Sequence, residues 1–374
     1  MSSMRLLFSR DKFLVYLITL GFFLSQFYLW SSGLPQFSHL VIMLAIIVSF
    51  YRGGIINTYL VKILFIFLVY VILVNIIWYI IYLDFSYINS ILYWGFNFLF
   101  FLLMVSLLNK DKNKDKFIQF ILFVIPLSYI LEIFIWIIGM GRYYFSPRYN
   151  GLFNDPNQMA FWTLSTCAIY LLLSKNRFKN SLVYVLALFL IILTMSRSAF
   201  LGFLFITFSF LIKQKGDLYN KIFLIMLSSI FVSLIAFYLY LKGFFDEIID
   251  RFIQGFGEKD SQSEGRGFNV ILNYPEYLFF GAGQGNYKLY NLDGNEIHST
   301  WLGILFYYGL VGFFIFLYFL FNIIKKLNFS DKLLIMAPLL YGFTTYNART
   351  IIFWFVISVF LLLSKDNFKK LKVS

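Results

Sequence analysis

The run "SLVYVLALFLIILTMSRSAFLGFLFITFSFLI", residues 181–212, is almost wholly apolar yet carries Arg197 near its middle. A guanidinium at the centre of a membrane helix costs about 2.5–3.5 kcal/mol or more, so the residue needs a physical reason to be there. Arginine offers a planar fork of donors that grips phosphate bidentately, where lysine acts as a point charge. Histidine is the second side chain here able to do chemistry, because its ordinary pKa lies near working pH. Of the two histidines, His39 reads as interfacial. His298 opens an apolar run beside Glu296 and follows the glycine cluster "GAGQGN"; it can act as a general base or be a structural residue. Glu132 is the one acid deep in a long apolar run, and is either functional or the partner of an arginine.

Composition says what must position these groups. Of 374 residues, 60% are hydrophobic, 22% aromatic and 13% charged, with a mean hydropathy of +0.78. A soluble domain carries about 25% charged residues, so the chain reads as an all-α polytopic membrane protein, a single integral membrane domain over residues 1–374. The basic start followed by a long apolar run reads as a first transmembrane helix rather than a removed leader. The net charge of +13 does not point to nucleic acid, because the basic residues concentrate in short loops and set topology. Cys167 lies alone in an apolar run and says nothing about compartment.

A membrane-spanning helix needs about 20 apolar residues. Twelve spans are expected, near 13–31, 36–51, 60–83, 87–108, 117–140, 157–173, 181–196, 198–212, 221–241, 299–323, 332–347 and 350–364. With both termini in the cytoplasm, 22 of the 31 Lys and Arg fall on cytoplasmic ends and loops, the asymmetry that the positive-inside rule describes. A single helix of the 32 residues around Arg197 would be about 48 Å long, well beyond a hydrocarbon core of about 30 Å. Two shorter helices joined at "MSRSA" fit better. The loops on either side are basic, so the turn faces outward, recessed and covered by protein or lining a wet cavity.

Two outer loops exceed simple connectors. "GMGRYYFSPRYNGLFNDPNQM", residues 139–159, carries Arg142, Arg148, Asp155 and Gln158. The loop 242–298, between spans nine and ten, opens with amphipathic helical spacing over Phe244, Phe245, Ile248, Ile249, Phe252 and Ile253, and then holds Arg266, "GAGQGN", Glu296 and His298. A small turn, "YNART", holds Arg349. The outer face thus keeps Arg142, Arg148, Arg197, Arg251, Arg266 and Arg349. For any one of these, pairing with an acid such as Asp250, Glu258 or Glu264, or contact with lipid headgroups, is a sufficient account. For six together, a phosphate-bearing ligand is the better one.

No phosphate-binding loop motif is present, and "GAGQGN" follows no strand–helix unit, so it reads as a flexible loop. No His/Cys/Asp/Glu group has metal-ligand spacing, and no Asp-x-Asp pair is present to hold a metal-bound nucleotide sugar.

Taken in order, "RYNGLFNDPNQMAFW", "TMSRSAFLG", "GRGFNVILNYPEYLFFGAGQGN" and "IHSTWLGILFYYGLVG" resemble the O-antigen polymerase and O-antigen ligase superfamily of bacterial membrane glycosyltransferases. Where that family often has asparagine after the histidine, this chain has Ser299. The resemblance implies a GT-C-like fold with a large periplasmic loop. It implies a multi-pass protein of the bacterial inner membrane with its site facing the periplasm. It further implies a metal-independent, hexosyltransferase-type enzyme without a cofactor, using undecaprenyl-pyrophosphate-linked oligosaccharide. Partners would be membrane lipid and a chain-length regulator protein, not nucleic acid.

Arg197 and Arg266 match the family's functional arginines and His298 its functional histidine, with Arg142, Arg148, Asp155, Gln158, Arg349 and Glu296 expected to bind substrate. The preferred expectation is a polymerase that moves the growing glycan onto a new lipid-linked repeat unit. That preference leans on the Phe-, Ile- and Tyr-rich, lysine-biased composition. A ligase that transfers glycan to lipid A core is the alternative, and a flippase for the same lipid-linked glycan the alternative from another class. The absence of an internal repeat and the gathering of polar groups on one face weigh against transport.

Overall fold

The computed structural model describes residues 2–30, 35–50, 58–143, 147–213, 267–285, 287–290 and 296–371. Among these the protein is helical, with one two-stranded hairpin. The longer helices are α1 (Ser2–Leu24), α2 (Phe37–Phe50), α3 (Tyr59–Tyr82), α4 (Ser86–Leu108), α5 (Asp111–Ile137), α6 (Pro156–Leu173), α7 (Arg177–Thr194), α8 (Arg197–Lys213), α9 (Thr300–Ile324), α10 (Phe329–Tyr341) and α11 (Ile351–Leu371). The hairpin pairs β1 (Arg142–Tyr143) with β2 (Tyr149–Gly151).

Helices therefore stand at eleven of the twelve expected spans. The ninth, 221–241, lies outside the described residues, as do Arg251, Arg266 and the amphipathic stretch around Phe244–Ile253. Among the described residues, five helices are long and apolar enough to cross a membrane: α3, α4, α5, α7 and α9. This is the outline of a multi-pass membrane protein, with fewer full-length spans than the twelve expected. For α2 and α10 the shortfall is one of length. The 14 residues of α2 and the 13 of α10 extend only about 20 Å at 1.5 Å per residue. The first helix also ends earlier than its apolar run. The chain turns after Leu24, and the Gln36 side chain accepts from the Leu29 and Trp30 amides at 3.0 and 3.1 Å.

Two compact units make up the chain. The first comprises Met1–Ala45, Asp111–Gly257 and Asn328–Tyr341. In it α8 packs against α10 and α6. Gly202 permits that approach: a Cβ there would stand 2.8 Å from a Leu164 methyl and 3.1 Å from the Ala337 carbonyl oxygen. At one end of α8, Lys213 bonds the Asp331 carboxylate at 2.7 Å and the Leu171 carbonyl at 3.1 Å. The end of α6, the end of α8 and the start of α10 thus share one side, and Arg197 marks the other.

The second unit comprises Ile46–Lys110, Glu258–Leu327 and Gly342–Ser374. Its core is aromatic: Phe67, Trp94, Tyr308, Phe316 and Trp354 meet largely edge to face, as at 5.1 Å between Phe67 and Trp94 and 6.1 Å between Trp94 and Trp354. Such pairs add about 0.5–1.5 kcal/mol each beyond area burial. Within α9, Gly309 leaves the helical conformation at φ 62° and ψ −176°. The break frees the carbonyls of Phe306 and Tyr307, which then accept from the amides of Ala282 and Gly283, both at 2.9 Å.

The glycine cluster is accordingly a packed insert and not the flexible loop expected. Gly281, Ala282, Gly283 and Gln284 are buried. The Phe280 and Gly281 carbonyls accept from Tyr70 and Trp78 at 2.8 and 2.9 Å. The correction has a plain cause. Glycine gives little local signal, and this segment gains its partners only from a helix broken elsewhere in the sequence.

Candidate functional site

In the first unit the site-forming end is built on the α7–α8 turn. Met195 closes α7 in the left-handed region, φ 50°, with its amide bonded to the Ile192 carbonyl, and α8 starts at Arg197. The expected break at "MSRSA" is therefore present. Arg197 is half-buried and has no hydrogen-bond or ion-pair partner among the described residues. Its position opposes ordinary helix electrostatics. A helix N-terminus carries about half a positive charge and favours acids there, so a guanidinium on the first residue of α8 adds positive potential to positive potential. Such an end favours an anion.

The neighbouring arginines are engaged. Arg148, 8% exposed, donates to the Thr194 carbonyl at 3.2 Å and to the Asn157 side-chain oxygen at 3.0 Å. Tyr341 of α10 donates to the Asn157 carbonyl at 3.1 Å, and its hydroxyl meets that of Ser196 at 3.1 Å. Arg142 is exposed and donates to the Tyr28 carbonyl and the Asn154 side chain, both at 2.9 Å. Asp155 is the N-cap of α6: its carboxylate accepts from the Asn157 amide at 2.6 Å, ahead of Pro156. Gln158 lies half-buried on the first turn of α6.

Asn157 and Tyr341 were not anticipated as part of this end. The Asp–Pro start of a helix is a readable signal for the first; nothing local announces the second. Glu132 is buried at 1% exposure. Among the described residues no arginine pairs with it, and its carboxyl lies against Gly151 of β2.

In the second unit the 296–300 segment is fastened to the turn after α10. Ser299 caps α9 by accepting from the Leu302 amide at 3.3 Å, and its hydroxyl donates to the Gly342 carbonyl at 3.3 Å. The Thr300 amide reaches the carbonyls of Gly342 and Thr345 at 2.7 and 3.1 Å. The Asn347 amide returns to the Thr300 hydroxyl at 2.8 Å. Between buried Ile297 and buried Ser299, His298 is exposed. Serine in place of asparagine after the histidine thus has a role of its own, as a helix cap.

Glu296 and Arg349 form an ion pair at 2.8 Å with side-chain exposures of 18% and 34%. The Arg349 guanidinium also lies over the Tyr346 ring, 5.0 Å from its centre. Burial works against the charged form of Arg349. Glu296, Tyr346 and Tyr307 outweigh that and hold its pKa above the ordinary arginine value. The structure therefore brings Glu296 and Arg349 together with His298 on the same short segment, and separately sets Arg148 behind the turn that bears Arg197. Arg266 is outside the described residues.

Residues 182–317, about a third of the chain, match the family model described as O-antigen ligase. The matched stretch includes Arg197, Arg266 and His298. No curated protein matches the chain. Through this segment the chain is similar to the O-antigen ligase family, a likeness that supports membership of the ligase and polymerase superfamily.

Proposed function

We propose that the protein transfers an oligosaccharide from a polyprenyl pyrophosphate, of the undecaprenyl type, to a hydroxyl acceptor on the outer side of the membrane. One observation carries the reading above the others. Arg197 starts a helix, adds its charge to that helix's positive end, and has no partner among the described residues. In the transfer, the acceptor oxygen forms a bond to the sugar's anomeric carbon as the bond from that carbon to the phosphate oxygen breaks. The electron pair leaves with the pyrophosphate, whose growing charge is stabilised by preorganised cations. We assign Arg197 and Arg266 to that charge, with Arg142, Arg148 and Arg349 as supporting positive groups. His298 takes the acceptor proton. The donor brings the bond energy, so no nucleotide is required outside the membrane.

For the acceptor, lipid A core is the reading favoured here, because the matched model carries the description O-antigen ligase. The composition of the chain favours a new lipid-linked repeat unit instead, which makes polymerase the second reading. In either case the architecture assigned is GT-C-like, with about twelve crossings and the 242–298 loop in the periplasm.

Gene deletion followed by glycan gel analysis tests all of this. Bare core with accumulating lipid-linked polymer identifies a ligase. A single repeat unit on the core identifies a polymerase. Precursor held inside the cell identifies a flippase and overturns the proposal. Complementation with His298→Ala or Arg197→Ala should restore protein without restoring long glycan.

A further inference from the structure

We propose that Gln284 is a positioning residue for Arg349: its side-chain carbonyl holds Tyr346 beneath the guanidinium, and Arg349 in turn orients the Glu296–Ser299 segment that carries His298. The inference rests on the reading of Arg349, Glu296 and His298 as transferase residues.

The geometry is a chain of short contacts within the second unit. The Gln284 Oε1 accepts three hydrogen bonds, from Trp94 Nε1 at 3.1 Å, from the Tyr308 hydroxyl at 2.9 Å and from the Tyr346 hydroxyl at 3.1 Å. Its own amide donates to the Asn75 side chain at 2.9 Å. Gln284 is 5% exposed and Tyr346 7%, so neither group has water as an alternative partner. The Tyr346 ring then carries the Arg349 guanidinium at 5.0 Å, and Arg349 Nη2 reaches Glu296 at 2.8 Å. Two anchors keep the near end still. Asn75 sits in α3, where its side-chain nitrogen donates to the Val71 carbonyl at 2.8 Å, and the backbone ahead of Gln284 is bonded into the α9 break at Phe306 and Tyr307.

An arginine side chain has much rotamer entropy to lose. A guanidinium that must meet phosphate bidentately gains from having that entropy removed before the ligand arrives. A tyrosine ring fixed at its hydroxyl does this: the ring cannot tilt without breaking its bond to Gln284, and the cation above it follows the ring. An aliphatic side chain at position 284 could fill the same volume. It would leave three buried donors without an acceptor, which is what singles out a carboxamide here.

Glycan transfer from purified lipid-linked oligosaccharide, measured as kcat and KM, tests the inference on the full-length protein in detergent or vesicles. Tyr346→Phe is the gentle variant, keeping the ring and removing only its bond to Gln284. Gln284→Leu is the stronger one. Tyr346→Phe should lower kcat/KM about tenfold, the scale of one lost buried hydrogen bond, and Gln284→Leu by more than that. Neither should lower it further once Arg349→Ala is present, because residues that act through one group are not additive.

A merely structural role predicts the same fold-loss in both backgrounds, and that result overturns the inference, as does full activity of Tyr346→Phe. If Gln284→Leu does not fold, the Tyr346→Phe cycle decides alone. If Arg349→Ala is itself fully active, the transferase role of Arg349 falls and the inference with it. If Arg349→Ala is defective while Tyr346→Phe and Gln284→Leu are not, only the inference falls.

Discussion

Arg148 donates through Nε to the Thr194 carbonyl at 3.2 Å, just ahead of Arg197, so one arginine holds the turn that displays another. The two residues looked alike in the sequence, as basic groups in an apolar chain. Their surroundings separate them: Arg148 is buried and bonded to two elements, whereas Arg197 is half-buried with no partner among the described residues.

Arg148→Ala should therefore act on stability. It leaves the Thr194 carbonyl without its donor and the Asn157 side-chain oxygen with only the long bond from the Tyr341 hydroxyl at 3.5 Å, a loss of about 2–4 kcal/mol for two charge-assisted bonds at a buried site. Thermal unfolding in detergent should show a clear drop in the midpoint, with transfer lost at least in proportion to folded protein. A midpoint equal to that of the unsubstituted protein would remove the turn-holding role assigned to the residue.

Arg197→Ala should do the reverse. Removing a cation from the first residue of α8 relieves an unfavourable interaction with the helix dipole of about 0.3–1 kcal/mol, so the thermal midpoint should hold or rise. Transfer should be abolished. Arg197→Lys should fall well short of full activity if the contact is a bidentate one to phosphate. Full activity in Arg197→Lys would reduce the residue to a point charge.

Gly309→Ala should destabilise the second unit. At φ 62° and ψ −176° a residue with a Cβ is strained by about 1–3 kcal/mol, and that Cβ would press on the Phe279 carbonyl. The break in α9 would close or shift, and the amides of Ala282 and Gly283 would lose their acceptors. Limited proteolysis near residue 281 in detergent should become faster. Unchanged cleavage would mean that the glycine cluster holds its place without the break.

Helix positions were legible in the sequence because apolar run length and flanking charge carry them directly. The turn before Arg197 followed from length alone, since no single helix fits those residues into a bilayer. The site was less legible. Asp155 looks like a ligand as an isolated acid, and reads as a helix cap once Pro156 behind it is given weight. The "GAGQGN" stretch reads as flexible in the sequence because its partners, Trp94, Tyr308, Tyr346 and Asn75, are spread along the chain. Hydrogen bonds to side chains far apart in sequence leave no period or spacing to detect.

The contact between Glu132 and Gly151 yields the last prediction. Gly151 has a φ of 55° and packs on the Glu132 carboxyl so closely that a Cβ could not stand between them. The Tyr149 hydroxyl donates to the Glu132 backbone carbonyl at 2.9 Å, which locks β2 over α5 at this point. Gly151→Ala should then incur two separate costs. One is the left-handed conformation, about 1–2 kcal/mol, and the other is the collision with the carboxyl. Shortening the acid removes only the second. Glu132→Ala and Gly151→Ala should each lower the thermal midpoint, and the double substitution should be more stable than the sum of the two losses allows, because the sites are in contact. Strict additivity would show that the collision is relieved by movement of the hairpin instead. Glu132→Gln retains the shape without the charge. A buried carboxylate with no cation beside it is costly to keep ionised, so this substitution should leave the midpoint nearly unchanged. A large drop in Glu132→Gln would mean that the acid holds a charge and that its counter-charge lies among residues outside those described.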